Sequence, residues 1–235
     1  MHTKLTALIV ACAALALAAI AQAAPIPVAV YTFASQDDVN AFQKVFGAKC
    51  SKKWSGNQAL GILVGAGTSS CVLRTSVVAD SSDAAPDHAI QGDARLARGG
   101  TAKAQRKTFV GVGVRQSDEA GYYLRVLPFA RKWQLIRDPK GGAGPSPLAV
   151  GTGKFIRLGM KPNSLQLRAF DRGTTTTQLL AVVNGRTVVS TTDAAADQPD
   201  GRRTVVADGV KGSGPGTGVS GVFDDVSVRV PNPFG

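Results

Sequence analysis

Residues 109–138 read FVGVGVRQSDEAGYYLRVLPFARKWQLIRD, a segment whose pattern of apolar residues and turns gives a clear indication of the fold. Apolar side chains occupy every second position at residues 110–114 and again at 122–126, which is typical of half-buried antiparallel strands. The connections SDEAG and PFAR suit turns between neighbouring strands but are too short for a parallel crossover. The stretch therefore predicts a three-stranded antiparallel meander, with one face in a core and the other face in solvent.

Turn signals divide the rest of the chain into short segments. Asn184-Gly185 is the strongest hairpin signal, and Ser35 is placed to cap a helix that runs to about residue 46. Residues 139–147, PKGGAGPSP, predict a surface loop because prolines and glycines disfavour regular structure.

The segments between these turns are apolar and rich in β-branched residues, as strands are. Beyond the meander, strands are predicted at residues 26–33, 59–64, 71–78, 88–97, 155–160, 165–170, 179–183, 187–191, 204–210 and 219–230. The pattern predicts an all-β fold: a two-sheet antiparallel jelly-roll sandwich with at most one or two short helices. We expect the first strand to pair with the last, because this would hide both edges.

The first 23 residues have the layout of a secretory signal peptide. Lys4 precedes an apolar run over residues 8–20, and Ala21-Gln22-Ala23 is a small-residue cleavage triplet. We therefore predict an exported protein, periplasmic or extracellular, with one domain over residues 24–235 and no membrane span after cleavage. A membrane anchor is the less favoured alternative, because the apolar run ends in that cleavage triplet. Lipidation at Cys12 is also less favoured, because the run stays apolar beyond Cys12.

Cys50 and Cys71 are the two cysteines outside the predicted signal peptide. An even pair in an exported chain is most simply a disulfide, here closing a loop of about twenty residues. A redox or metal role would need closer spacing or partner ligands, which the sequence around them lacks.

The chain is strongly basic, with a net charge of +11 that falls to about +10 when Lys4 is removed. Such a charge favours polyanionic partners. The basic residues are scattered and carry no aromatic nucleic-acid motif, so no nucleic acid is expected as a partner.

The chain carries the motifs GVGVRQ, GYYLRVLP, KWQLIRD, LLAVVNGRTVVS and GVFDDVSV. They resemble the concanavalin A-like lectin and glucanase superfamily, in its laminin G-like jelly rolls. In that superfamily the closing strand usually carries a small-Phe-Asp-Asp-hydrophobic motif like residues 221–226. The resemblance implies the fold but selects no activity, because the superfamily includes lectins, glycan-binding modules, glycosidases, lyases and adhesion domains.

The carboxylates of the superfamily's retaining glucanases are missing. Those enzymes need a nucleophile and a proton donor about 5 Å apart, whereas Glu119 is the single glutamate and lies in a predicted turn. Neighbouring aspartates on a strand point to opposite faces. His88 is the single histidine after the predicted cleavage site, and no nucleophile elbow is present. The sequence therefore predicts a non-catalytic protein.

Opposite the predicted core positions, the strands carry polar and basic side chains that would line a groove on a shared sheet. Arginine pairs bidentately with carboxylate or sulfate, Tyr123 is placed to stack on a sugar, and Gly111 and Gly113 would leave the backbone open to a chain. The predicted glycan-binding residues are Arg74, Arg115, Tyr123, Arg125, Lys132, Gln134, Arg157 and Arg168. The alternative is an ordinary polar surface, if the strands divide between two sheets.

Two further features leave alternatives open. Asp224 and Asp225 are candidate calcium ligands, although one acidic pair supplies few of the oxygens that calcium needs, and one of them capping a turn is the alternative. No other cofactor is expected. The indoles are candidate sugar platforms, but Trp133 is placed for the core, whereas Trp54 suits either role.

These observations support three functional hypotheses. The first is an exported, non-catalytic domain that binds polysaccharide or cell-envelope glycan, with acidic chains favoured by the arginines. The second is a polysaccharide lyase in which Arg125 and Gln134 neutralise a uronate while Tyr123 or His88 moves the proton. The third is a structural or adhesion protein of the envelope. The sequence sets neither the ligand's identity nor the oligomeric state.

Overall fold

A computed structural model describes residues 26–47, 49–55, 59–65, 70–78, 87–99, 101–102, 104–118, 120–139, 141, 144–210 and 218–230. The predicted signal peptide, the predicted loop at 80–86 and Glu119 lie outside the described residues, as does most of the loop GSGPGTG. No described helix is long and apolar enough to cross a membrane.

The described residues form fifteen strands, one short α-helix and two 3-10 turns. The elements are β1 (Ile26–Tyr31), α1 (Gln36–Asn40), β2 (Phe42–Phe46), β3 (Cys50–Trp54), β4 (Leu60–Val64), β5 (Ser70–Val78), β6 (His88–Gly99), a 3-10 turn (Gln105–Lys107), β7 (Thr108–Gln116), β8 (Gly121–Leu127), a 3-10 turn (Pro128–Ala130), β9 (Lys132–Asp138), β10 (Ser146–Thr152), β11 (Asn163–Asp171), β12 (Thr177–Val183), β13 (Arg186–Asp193), β14 (Arg203–Val210) and β15 (Val219–Val230).

The strands form two antiparallel sheets, as the sequence predicts for a jelly-roll sandwich. Sheet A has the order β13-β12-β11-β6-β15-β4-β3, with β1 paired to the second half of β15. Sheet B has the order β10-β9-β8-β7-β14-β5-β2. The predicted pairing of the first strand with the last is confirmed by the register of β1 on β15.

The core lies between the sheets and contains the side chains that the period-two pattern selects. In the central meander, Val110, Val112 and Leu124 are fully buried, and Trp133 is 8% exposed and packs with them. The meander β7-β8-β9 pairs as expected from its short turns. The predicted core role of Trp133 is confirmed.

The predicted disulfide is present and joins the two sheets. Cys50 lies on β3 of sheet A and Cys71 on β5 of sheet B, with their Cα atoms 5.6 Å apart. The bridge therefore closes one end of the sandwich across its core.

Two predicted segments are wrong. The helix capped by Ser35 ends at Asn40, and residues 42–46 form β2, because Phe42 is buried in the core and the segment pairs with β5. Residues 155–160 form turns rather than a strand. The strand lies earlier, at Ser146–Thr152, where the predicted loop ends, because these residues pair with the free edge of β9.

Candidate functional site

The outer face of sheet B, turned away from the core, brings together part of the predicted site. Directly paired residues of an antiparallel sheet point to the same side, and Arg125 pairs with both Gln134 and Gly111, while Tyr123 pairs with Ile136 and Gly113. Side chains from five neighbouring strands form this surface: Val72, Arg74, Phe109, Tyr123, Arg125, Leu127, Lys132, Gln134, Ile136, Val205 and Ala207.

This face is more apolar and less open than the predicted wet surface. Phe109 is 1% exposed and Val205 is fully buried, within a second apolar cluster separate from the core. The predicted backbone access at Gly113 is also wrong. A Cβ there would lie 2.6 Å from Val205 Cγ2 and 2.9 Å from Tyr123 Cδ1, so neighbouring side chains already fill the space above this glycine.

Arg125 stands at the centre of the outer face of sheet B between two aromatic rings. Its guanidinium carbon lies 4.7 Å from the ring centre of Phe109 and 5.5 Å from that of Tyr123, within the range of cation–π attraction. A Cβ on Gly111 would lie 3.4 Å from Arg125 Cγ, so the glycine gives the stem room to lie along the sheet. Phe109 was missed by the sequence analysis, although its alternation with Val110 places it on this face.

The charge of Arg125 has no carboxylate partner among the described residues. None of them makes an ion pair or a hydrogen bond with its guanidinium, and its Nε is buried without a hydrogen-bond partner. Burial lowers the pKa of Arg125, while Tyr123 and Asp138 act in the opposite direction. Arginine keeps its proton in proteins, so the face presents a fixed positive charge.

Asp138, at the end of β9, is a carboxyl group whose charge acts on Arg125, and the sequence analysis missed it. Burial raises the pKa of its carboxyl group, and the positive charge of Arg125 opposes that rise. The two side chains interact electrostatically without forming an ion pair. The charge of Arg125 is therefore only partly balanced.

Gln134 and Tyr123 flank Arg125 with polar atoms. Gln134 is 2% exposed, and its Oε1 has no hydrogen-bond partner among the described residues, although an unpaired buried acceptor is costly. The hydroxyl of Tyr123 is hydrogen-bonded to Gln116 Oε1. Burial and the charge of Asp138 raise the pKa of Tyr123 to about 12, so its phenol stays protonated at neutral pH.

Arg115 lies between the sheets, which corrects its predicted position on the outer surface. β7 carries both Val114 and Arg115 opposite the single residue Thr204 of β14, and Arg115 has a φ of 53°. Such a bulge with a left-handed residue interrupts the alternation of side chains. Arg115 therefore turns inward, where it is 2% exposed.

Arg115 joins the two sheets through its side chain and backbone. The guanidinium donates to Asp171 Oδ1 at 2.7 Å and to Thr177 Oγ1 at 2.8 Å, both on sheet A. Its backbone N–H donates to Nε2 of His88 at 2.9 Å. His88 also lies between the sheets, where it is 2% exposed, so it does not share a face with Tyr123.

The remaining predicted arginines are dispersed. Arg74 lies on the outer face of sheet B but forms an exposed ion pair with Asp118 at 2.9 Å. Arg157 lies in the segment between β10 and β11, where its side chain donates to the carbonyl oxygen of Pro162. Arg168 lies on β11 in sheet A, between inward-facing leucine and alanine, so it points outward from the opposite side of the sandwich. The prediction of a single groove that holds all these residues is therefore wrong.

Asp224 and Asp225 lie at a bulge of β15, where Asp225 has a φ of 47°. Asp224 Oδ1 accepts a hydrogen bond from the backbone N–H of Asp225 at 2.9 Å, as in the turn-capping alternative. Burial raises the pKa of Asp224, with Asp225 and Asp93 adding to the rise. Within the described residues no group of three or more His, Cys, Asp or Glu side chains is placed to hold a metal. Calcium binding here stays a prediction.

Trp54, the other candidate platform, is 41% exposed at the end of β3. Its indole N–H donates to the carbonyl oxygen of Phe33 at 2.8 Å. One edge of the ring is thus held by the protein. Trp54 lies on sheet A and does not belong to the outer face of sheet B.

Solved structures with the same architecture are similar over most of the chain. They include the endo-1,3-beta-glucanase from Streptomyces sioyaensis, with a TM-score of 0.58, 12% sequence identity, and 88% of this chain and 97% of that chain covered. The carbohydrate recognition domain of Emp46p has a TM-score of 0.56 at 11% identity, covering 84% and 93% of the two chains. Carbohydrate-binding module CBM66 from Bacillus subtilis has a TM-score of 0.52 at 12% identity, covering 80% and 95%.

The chain therefore has the concanavalin A-like jelly-roll fold that its motifs resemble. No protein-family model matches the sequence, and no curated protein matches it. At these sequence identities the similarity shows the fold alone and does not show the function.

Proposed function

We propose that the protein is an exported, non-catalytic glycan-binding domain that holds an acidic polysaccharide on the outer face of sheet B. The observation that supports this proposal is Arg125, a positive charge held between two aromatic rings to which no carboxylate of the described residues is bound. The fold supports it further, because solved structures similar to this chain include a carbohydrate-binding module and a carbohydrate recognition domain.

The chemistry of this face suits a uronate or a sulfated sugar. A planar guanidinium binds carboxylate or sulfate bidentately, and such charge-assisted bonds are stronger than neutral ones. Gln134 lies directly beside Arg125 but is 2% exposed, so it belongs to the floor of this face and the guanidinium is the group that a sugar would contact. The apolar side chains around them, such as Phe109 and Ile136, exclude water and so strengthen the electrostatic attraction.

Replacing Arg125 with glutamine tests this proposal. R125Q should bind acidic polysaccharides at least 30-fold more weakly than the wild type, corresponding to the roughly 2 kcal/mol typical of losing one partner of a buried charge pair. Binding is measured by calorimetry or on immobilised polyuronates and sulfated glycans at low and high salt. The attraction of the wild type should weaken as salt rises.

R157Q is the matched control because it removes the same charge from an arginine outside this face. It should keep most of the affinity. If R125Q and R157Q weaken binding equally, the interaction is with the net charge alone, and the proposed site is wrong. If the wild type binds no acidic or neutral glycan, the structural or adhesion alternative takes its place.

A polysaccharide lyase is the second candidate, because Arg125, Gln134 and Tyr123 do share one face. An alginate lyase, Aly36B, is among the solved structures with the same fold, with a TM-score of 0.51 at 12% identity, covering 89% of this chain and 95% of that chain. Two observations disfavour catalysis: the raised pKa of Tyr123, which keeps the phenol protonated, and the position of His88 between the sheets. New ultraviolet absorbance from unsaturated uronate ends, lost in Y123F, would overturn the non-catalytic proposal.

A further inference from the structure

Two arginines meet on the outer face of sheet A, on the side of the sandwich opposite Arg125. Arg168 of β11 and Arg229 of β15 both pair with Ala89 of β6, which lies between them. Because neighbouring strands lie about 4.8 Å apart, the two Cα atoms are roughly 10 Å apart, and residues paired side by side point the same way. The two arginine side chains therefore project from the same face of sheet A, one on each side of Ala89.

These two charges repel each other, and neither is neutralised within the described residues. Among the residues that the structure describes, no ion pair involves Arg168 or Arg229, and Arg168 Nε is buried without a hydrogen-bond partner. Burial lowers the pKa of Arg168, and the positive charge of Arg229 lowers it further. Arg229 Nε donates to Ser227 Oγ at 3.3 Å, which orients its side chain without balancing its charge.

The surroundings are polar rather than acidic. Gln166 and Gln91 pair with each other in the next row of the sheet, followed by Ser227. Amide and hydroxyl groups of this kind can bond an anion or a sugar but do not supply a counter-charge. Two fixed positive charges thus lie on the outer face of sheet A beside a row of polar side chains that can donate hydrogen bonds.

We propose that Arg168 and Arg229 form a second anion-binding site, which takes a carboxylate or sulfate oxyanion in the gap above Ala89. An oxyanion held between the two guanidinium groups would accept hydrogen bonds from both of them, and its negative charge would offset the repulsion between the two arginines. The site is independent of Arg125, because the two surfaces face away from each other. One molecule can then hold two anionic groups, or two acidic chains, on its two faces.

Site-resolved NMR with inorganic sulfate tests the site directly. The Nε–H resonances of Arg168 and Arg229 should shift together and saturate as sulfate is added at constant ionic strength. The Nε–H resonance of Arg157 should stay unchanged under the same conditions. In R229Q, the sulfate affinity reported by Arg168 should fall at least tenfold. R125Q should leave the sulfate response of both resonances unchanged, which separates this site from the proposed glycan site.

Removing one arginine gives a second readout that a structural role would not produce. R229Q should raise the melting temperature at low salt because the repulsion is relieved, and the gain should shrink in sulfate. A sulfated oligosaccharide and its desulfated form then identify the source of the oxyanion. Tighter binding of the sulfated oligosaccharide than of inorganic sulfate indicates a glycan chain, and equal affinity indicates the free ion. Non-saturating shifts in the wild type, or an equal sulfate affinity in R229Q, would overturn the site.

Discussion

Replacing Arg115 with alanine should lower the free energy of unfolding by about 2–3 kcal/mol, because the buried guanidinium donates charge-assisted hydrogen bonds that are each worth about 1.5–3 kcal/mol. The guanidinium is almost fully buried and bonds Asp171 and Thr177 on the opposite sheet. Without it, the buried hydroxyl of Thr177 loses a hydrogen-bond donor, and Asp171, whose side chain is 37% exposed, loses its ion-pair partner. The bulge at residues 114–115 also loses the contacts that hold it. Equilibrium unfolding in urea measures the loss.

The matched control is R74A, which removes an arginine from an exposed ion pair on the same sheet. Asp118, its partner, has a side chain that is 87% exposed, and pairs of this kind contribute about 0–1 kcal/mol. R74A should therefore unfold nearly as the wild type does. Equal losses for R115A and R74A would show that the buried Arg115 side chain does not hold the sheets together.

Replacing Asp208 with asparagine should stabilise the protein at neutral pH and remove part of its pH dependence. Asp208 lies on β14 and points into the core, where Oδ2 accepts a hydrogen bond from the backbone N–H of Gly221 at 2.6 Å. Its Oδ1 has no hydrogen-bond partner in the part of the chain that the structure describes. Burial raises the pKa of this carboxyl group well above its usual value. The folded protein therefore holds a proton on Asp208 at pH values where the unfolded chain has released it.

The sign of the effect follows from this difference. An unfolded aspartate titrates near pH 3.9, so the contribution of Asp208 to stability is fully present below that value. As the pH rises from there toward the folded pKa, unfolding releases a proton, and the free energy of unfolding falls by up to about 1.4 kcal/mol per pH unit. Above the folded pKa the loss is complete.

Stability curves from pH 3 to pH 8 test this expectation. D208N should match the wild type at the acidic end, where Asp208 is neutral in both states, and exceed it increasingly as the pH rises. D118N, at an exposed position, should follow the wild-type curve. Parallel curves for D208N and the wild type would mean that Asp208 is ionised in the folded protein and that its burial is compensated.

The local pattern of the sequence was enough for the core and for part of the candidate site. In an extended strand, successive side chains alternate between the two faces, so Val110 and Leu124 were predicted inside, and Tyr123 and Arg125 on the opposite face, without knowledge of strand order. The disulfide followed from the cysteine count.

Long-range pairing decided the rest, because neither sheet membership nor a bulge is encoded in period-two alternation. Arg168 has the same local pattern as Arg125, yet β11 pairs in sheet A and β8 in sheet B, so the two arginines face opposite sides of the sandwich. Arg115 shares a strand with Gly111 and Gly113, but one extra residue against β14 turns it into the core. Alternation along each strand can be predicted from local sequence, whereas contacts between side chains of different strands depend on the partner strand and its register, which are properties of the whole fold.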